Sequence, residues 1–376
     1  MITLGEFKPT QYTKELVNMV LDTRRISYGP LCRDFESRFA QMHGCEYGIF
    51  TNSGTSSLLA SLQALKELHG WKDGAEVIVP SLTFVASVNA IVHAGLKPVL
   101  VDVCEETYNI DFDLIGREIN PDSVAIIPVH LFGMPSDVEI ISSIAYGSGL
   151  AVVEDSCECV LSKDNEQPVG SWGDVGCFST YAAHHLVTGV GGLCTTSDKD
   201  LALKIRSIVN HGIDVSELPS GTFYDPSHLA RKFSFTSIGH SFRPTELEAA
   251  LGLSQIDDLP KIVEKRRKNA RYLYGKLTPL LAWLQLPLMH PEHSFMVFPI
   301  VLRELNAAHL IKHLSENGIE SRRMMPLTNQ PCYDFNPADY PVSQWINNSG
   351  FYVGVHQGLD FTDMDKIVEV ITEYFE

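Results

Sequence analysis

Over its first two thirds the chain alternates short, β-branched apolar runs with stretches of helical periodicity, and this rhythm restricts the fold more than any other feature. Tyr47-Gly48-Ile49-Phe50, Glu76-Val77-Ile78-Val79-Pro80, Pro98-Val99-Leu100-Val101-Asp102, Val124 to Val129 and Leu150 to Asp155 all read as strands. Helices are expected between them, from Ser57 to about Leu65 and from about Phe84 to Ala94. Strands joined by such crossovers lie mostly parallel in one sheet with helices on its faces. Open sheets of this kind collect ligands beyond the carboxyl ends of their strands. Strand-like Val175 to Thr180 and Gly192 to Thr196 then bracket an unusual loop, and helical patterns follow at 198–210 and 244–257.

From Pro260 the pattern changes. A long charged helix (Lys261 to Lys276) leads into hairpin-like strands around Phe295 to Val301, then helices near 307–317 and 362–375. At 376 residues the chain exceeds what one compact core usually holds. We expect a large domain over residues 1–259 and a smaller C-terminal α/β domain over 260–376.

The formal charge of −17 argues against nucleic acid or an anionic membrane as the main partner. An anionic small ligand remains open, because backbone N–H groups and one or two Arg build such a site locally. No apolar run reaches transmembrane length, and Met1 to Glu6 lacks the basic-then-apolar layout of a signal peptide, so a cytoplasmic location is expected. In that reducing compartment the scattered cysteines read mostly as small buried hydrophobes. The close pair Cys157-x-Cys159 lacks the second half of a zinc site, so no metal is expected there.

Three segments carry the chemistry. The turn Thr51-Asn52-Ser53-Gly54-Thr55-Ser56 runs from a strand into a helix, where unpaired N–H groups and the positive dipole end attract an anion. The same Ser and Thr suit an ordinary helix cap. Asp155 closes an apolar strand at its carboxyl end, where a buried carboxylate needs a cationic or N–H partner. A pyridine nitrogen is one such partner, since its protonation makes the ring an electron sink. Glu158 lies three residues on, and an exposed loop pair is the plainer alternative for both acids. The third segment, Phe178 to Gly192, holds His184 and His185 ahead of Gly189-Val190-Gly191-Gly192. That glycine run does not open a helix, so it is no dinucleotide fingerprint. An imidazole exchanges protons near neutral pH, though paired histidines are more often structural than catalytic.

In this order and spacing, the three segments resemble the DegT-type nucleotide-sugar aminotransferases. Further motifs are Pro80-Ser81-Leu82-Thr83-Phe84-Val85-Ala86-Ser87, Pro128-Val129-His130-Leu131-Phe132-Gly133-Met134-Pro135, Glu154-Asp155 and the run from Phe242 to Gly252. The resemblance implies the aspartate aminotransferase fold type I of pyridoxal phosphate (PLP)-dependent transferases, with a mostly parallel seven-stranded sheet. It implies that Gly54, Thr55 and Ser179 hold the cofactor phosphate, that Phe84 stacks on the pyridine ring and that Asp155 pairs with its nitrogen. Glu158 falls where aminotransferases usually carry Gln, near the ring hydroxyl. The family homodimer brings a polar residue of the neighbouring subunit to the phosphate; Ser241 stands here in place of the usual Asn. Arg322 and Arg323 lie where relatives approach the sugar nucleotide, and an Arg fork suits a diphosphate.

Counting eight back from Gly192, the family's Schiff-base lysine position falls on His184. Histidine cannot form that covalent link but can act as an acid/base. The sugar 3-dehydratase branch makes the same substitution and tends to carry an acid at the position of Glu158. The implied reaction is loss of the C3 hydroxyl from a nucleotide-diphosphate 4-keto-6-deoxy sugar, with non-covalently bound pyridoxamine phosphate (PMP). No Cys lies between Cys194 and Cys332, which argues against an iron–sulfur cluster and favours the version recharged by L-glutamate. Two rivals remain at the sequence level. One is an aminotransferase-like enzyme using another base, although Lys163, Lys199 and Lys204 are out of register; the other is a non-catalytic cofactor- or sugar-binding homologue. His185 is the base if the register shifts by one.

Overall fold

The structure is a computed structural model that describes residues 1–215, 233–325 and 327–376. Among the described residues the strands are β1 (Tyr47–Thr51), β2 (Glu76–Pro80), β3 (Lys97–Val101), β4 (Ser123–Ile126), β5 (Ala151–Asp155), a short hairpin of β6 (Lys163–Asp164) and β7 (Gln167–Pro168), β8 (Val175–Ser179) and β9 (Gly192–Thr196). Apart from the hairpin they form a seven-stranded sheet in the order β1-β9-β8-β5-β4-β2-β3. Helices α1 (Gln11–Thr23), α2 (Pro30–Met42), α3 (Gly54–His69), α4 (Val85–His93), α5 (Phe112–Glu118), α6 (Val138–Gly147), α7 (Lys199–Ile208) and α8 (Glu246–Ile256) accompany these strands.

The strands read as near-continuous apolar runs because both faces of the sheet are covered. Alternation assigns each residue a face. Val77, Val79, Ala125 and Val153 join one core cluster, while Ile78, Ile126 and Val152 join another. On β5 the period of two puts Asp155 on the face of Val153 and Glu154 on the face of Val152.

The expected parallel sheet is present, with one exception. Strand β9 runs antiparallel to both neighbours, β1 and β8. The link from β8 to β9 is a loop with no crossover helix, so the chain can only return antiparallel. This reversal puts the start of β9 at the same edge as the ends of β1 and β8, and Gly192 pairs with both Thr51 and Ser179. Helix α3 begins three residues before the expected Ser57, because Ser53 already caps it by accepting from Ser56 N at 3.0 Å. Strand β4 stops at Ile126 rather than Val129, since Pro128 offers no N–H and Val129 bridges instead to Asp155.

A second sheet combines β10 (Leu284–Gln285), β11 (Phe298–Leu302), β12 (Ser321–Arg323) and β13 (Gly350–Val353) in the order β10-β11-β13-β12. Its helices are α9 (Leu259–Leu277), α10 (Ala308–Glu316), α11 (Pro341–Ser349) and α12 (Phe361–Phe375). The expected hairpin around Phe295 resolves into the single strand β11; Phe295 itself lies in the preceding turn at φ 50°. The chain's opening residues belong here too. Ile2 bridges to Ile319 and joins the core that α9, α10 and α12 share.

Candidate active site

Three chain segments meet at the carboxyl edge of the large sheet, and two glycines show how closely. A Cβ on Gly54 would stand 2.7 Å from Cys157 Sγ and 2.9 Å from Ser179 Cβ. One on Gly192 would stand 2.4 Å from the Ser53 carbonyl and 2.6 Å from Gly54 N. Only hydrogen fits at either point. The amides of Gly54 and Thr55, in the first turn of α3, have no carbonyl within the helix to bond. Thr55 is exposed there, and Ser179 Oγ lies alongside, accepting from Tyr181 N at 3.4 Å. The geometry is an anion cradle.

Asp155 is buried at the end of β5. Its Oδ2 accepts from Ser87 Oγ at 2.7 Å and its Oδ1 from Cys157 N at 3.2 Å. Ser87 is in turn within 2.9 Å of Thr83 Oγ1. Among the described residues no Lys, Arg or His forms an ion pair with this carboxylate. Phe84, the N-cap of α4, is 58% exposed, a large aromatic face left open at this edge. A cradle for a phosphate, an open aromatic face and a buried carboxylate lacking a cation fit a phosphorylated pyridine cofactor. Glu154, on the other face, is structural: it accepts from Gly170, Trp172 and Gly173 amides and pairs with His130.

Glu158 is buried, and its Oε2 accepts from Phe132 N at 2.8 Å. Burial, with a smaller contribution from Asp155, pushes its carboxyl up to about 8, so most of it holds its proton at neutral pH. Phe132 donates this bond from a left-handed turn at φ 57° and packs its ring on Tyr108 and Tyr352.

The loop after β8 is latched at its base. Thr180 N donates to Gly191 O at 3.0 Å, Thr188 N to Thr180 O at 2.8 Å, and the two Thr hydroxyls lie 2.5 Å apart. At the loop's tip His184 is half-buried, and its Nδ1 lies 2.5 Å from the Cys157 carbonyl. A carbonyl only accepts, so Nδ1 carries the hydrogen and Nε2 keeps its lone pair. Burial, reinforced by the Arg266 guanidinium, holds the imidazole down to about 4, neutral at physiological pH. His185 turns the opposite way. It is buried with Nε2 3.1 Å from Ser294 O, away from the cradle.

The structure separates the two arginines. Arg322 pairs across strands with Tyr352, a member of the large-sheet core, and bonds Glu320 at 2.9 Å. Arg323 shares the opposite face with Phe351 and bonds Asn306 at 2.9 Å. Ser241 is exposed, bridges to Asn210 and takes a 3.1 Å bond from Arg243. Among the described residues it makes no hydrogen bond to the Gly54–Ser179 cradle of its own chain. Ser87, Cys157 and Arg266 support the site but went unassigned in the sequence. Ser87 was visible within the 80–87 motif; the other two act through contacts distant in sequence.

Residues 9–372 match the model of the DegT/DnrJ/EryC1/StrS aminotransferase family. The chain belongs to this family. Among curated DegT relatives, the GDP-4-keto-6-deoxy-D-mannose 3-dehydratase of Yersinia pseudotuberculosis is 29% identical, with 97% of each chain covered. GDP-perosamine synthase of Caulobacter vibrioides is 31% identical, covering 96% of this chain and 94% of its own. The fold is that of the PLP-dependent aminotransferases. A solved structure of GDP-4-keto-6-deoxymannose-3-dehydratase (ColD), a histidine-to-asparagine variant with bound GDP-perosamine, superposes with a TM-score of 0.91 at 26% identity, covering 98% of this chain and all of that one. The E. coli dehydratase with bound hydrated PLP gives 0.90 at 26% identity, covering 98% and 99%.

Proposed function

We propose that this DegT-family chain is a PLP/PMP-dependent 3-dehydratase acting on a nucleotide-linked 4-keto-6-deoxyhexose, with His184 as its acid/base. The observation that carries the reading is the His184 imidazole, neutral and with Nε2 unbonded among the described residues, on a latched loop that contains no lysine between Thr180 and Gly192. The 3-dehydratases among the relatives support it. The perosamine synthases favour a second reading, amino transfer to the same class of sugar.

Gly54, Thr55 and Ser179 would hold the cofactor phosphate, Phe84 its ring face, and Asp155 its ring nitrogen. Glu158 would stand at the ring hydroxyl. When bound, the cofactor supplies an amine for the C4 ketone and an electron sink. Asp155, oriented by Ser87, would set its carboxyl group against the ring nitrogen. His184 Nε2 takes up a proton, and returning it to the C3 hydroxyl lets that group leave as water. Protonated Glu158 donates a hydrogen bond rather than repelling. Arg322 would face the sugar diphosphate, whereas Arg323 points elsewhere. L-Glutamate would restore the amine, and Ser241 would serve the cradle of a second subunit in a homodimer. In this reading residues 1–259 form the cofactor domain and 260–376 the small domain, with Ile2 docked on the latter.

The test is to add PLP and then glutamate to the purified protein, follow the absorption spectrum and 2-oxoglutarate release, and then supply a GDP-linked 4-keto-6-deoxy sugar. A 3-deoxy product by mass spectrometry is expected. A 4-amino sugar in its place overturns the dehydratase reading in favour of amino transfer.

A further inference from the structure

Arg266, midway along α9, is the largest fully buried side chain of the described protein, with no exposed surface at all. Burying a guanidinium is costly unless a carboxylate meets it, yet among the described residues Arg266 forms no ion pair. Its partners are main-chain carbonyls instead. Nη1 donates to Met296 O at 2.6 Å and to Phe295 O at 3.4 Å, and Nη2 donates to His184 O at 3.4 Å. Nε has no partner among the described residues, nor does Nδ1 of the adjoining buried His185. A lone buried cation, anchored on one side by the turn before β11, therefore touches the main chain of the residue read above as the acid/base.

We propose that Arg266 is a positioning residue for His184: it pins the main chain of the loop at that residue and faces the imidazole with a buried positive charge. The consequence is electrostatic. A cation close by in a low-dielectric interior disfavours a second positive charge on the ring. Added to desolvation, the larger cause, this charge helps His184 keep its base form well below the pH at which a solvated histidine would lose it. The Cys157 carbonyl, on the turn that follows β5, meets the imidazole at Nδ1. Tyr181 lies edge-on at 6.3 Å from its own loop, and Arg266 approaches from α9. His185 also feels the guanidinium, as well as His184 and His293. Burial lowers the guanidinium to about 9, so it still carries its charge across the range in which the imidazole titrates.

Two variants divide the charge from the fork. Arg266→Gln keeps amide donors for the carbonyls and removes the charge; Arg266→Lys keeps the charge and removes the fork. The readout is the titration of His184 by NMR in histidine-labelled full-length protein, with His184→Gln identifying the signal, before and after addition of PLP. In the wild type the midpoint is expected more than about one unit below the ordinary histidine value of about 6.5. Arg266→Gln should raise it, with desolvation still holding it below the ordinary value, and Arg266→Lys should leave it low. His240, lowered by burial alone, is the internal control and should not move. A wild-type midpoint at the ordinary value overturns the proposal, as does an Arg266→Gln midpoint equal to that of the wild type. The first of these results needs no variant to fold. The inference rests on reading His184 as the acid/base, but the titration reports on Arg266 whether or not a sugar is turned over. An active His184→Ala protein would defeat that reading and leave this measurement intact.

Discussion

At position 184 a neutral imidazole keeps the lone pair on Nε2 while Nδ1 is tied to the Cys157 carbonyl. If that lone pair moves the proton, His184→Ala should lower dehydration about 10²–10⁴-fold while PLP still binds. His184→Lys should lose dehydration and gain a lysine adduct that borohydride fixes, seen by peptide mass. The pH profile follows from the two shifted groups. Activity should fall as pH drops through about 4, where His184 gains its proton, and as pH rises through about 8, where Glu158 loses its own. Glu158→Gln should abolish the basic limb and leave the acid limb in place. In the sequence, the family resemblance pointed to position 184, eight residues before Gly192, and the end of an apolar strand pointed to Asp155. The choice between His184 and His185 was open there, and the opposite orientations of the two rings could not be read from spacing. Nor could the separate faces of Arg322 and Arg323, until β12 was paired with Tyr352 and Phe351.

Among the elements, β9 was the least predictable in its role. Its apolar run is plain, yet its antiparallel direction depends on the loop after β8 having no helix. That direction is what brings Gly192 against Ser53 and Gly54. Gly192→Ala should therefore push the start of α3 off the cradle and weaken PLP binding at least tenfold. The seven-stranded sheet should persist, as circular dichroism would register, because the clash is confined to one strand end. The start of α3 was missed for a related reason. Apolar periodicity marks where a helix becomes buried, whereas the cap at Ser53 marks where it begins.

Across the whole molecule, burial has left several histidines unable to take up a proton. His43, His293 and His356 are held down to about 4, 3 and 4, chiefly by desolvation, and His185 lies well below its ordinary value for the same reason. Each has a folded-state pKa below its unfolded value, so the unfolded chain binds more protons between about pH 6.5 and 4. The stability they contribute is complete above that window and is lost as pH falls through it. Each histidine adds a slope of up to roughly 1.4 kcal/mol per pH unit. Urea midpoints should consequently decline steeply from pH 6.5 to 4.5 and change little from 6.5 to 7.5. Composition gave the number of histidines but not their burial, which arises where α2, α9 and the 293–296 turn pack against the large sheet. The second sheet, β10 to β13, was legible as a change of rhythm near Pro260. The docking of Ile2 beside Ile319 was not, since nothing local to either residue announces a partner over three hundred positions away.

The latch between Thr180, Thr188 and Gly191 closes the histidine loop on itself before β9 begins. The loop's tip and the cradle at its stem are therefore separate fixtures that share a wall. In the proposed reading, what stands at the tip could be exchanged, a side chain that forms a covalent bond for one that only shuttles protons, while the grip on a phosphate below would stay as it was. Such an arrangement lets one scaffold change its reaction by a single residue and keep its cofactor.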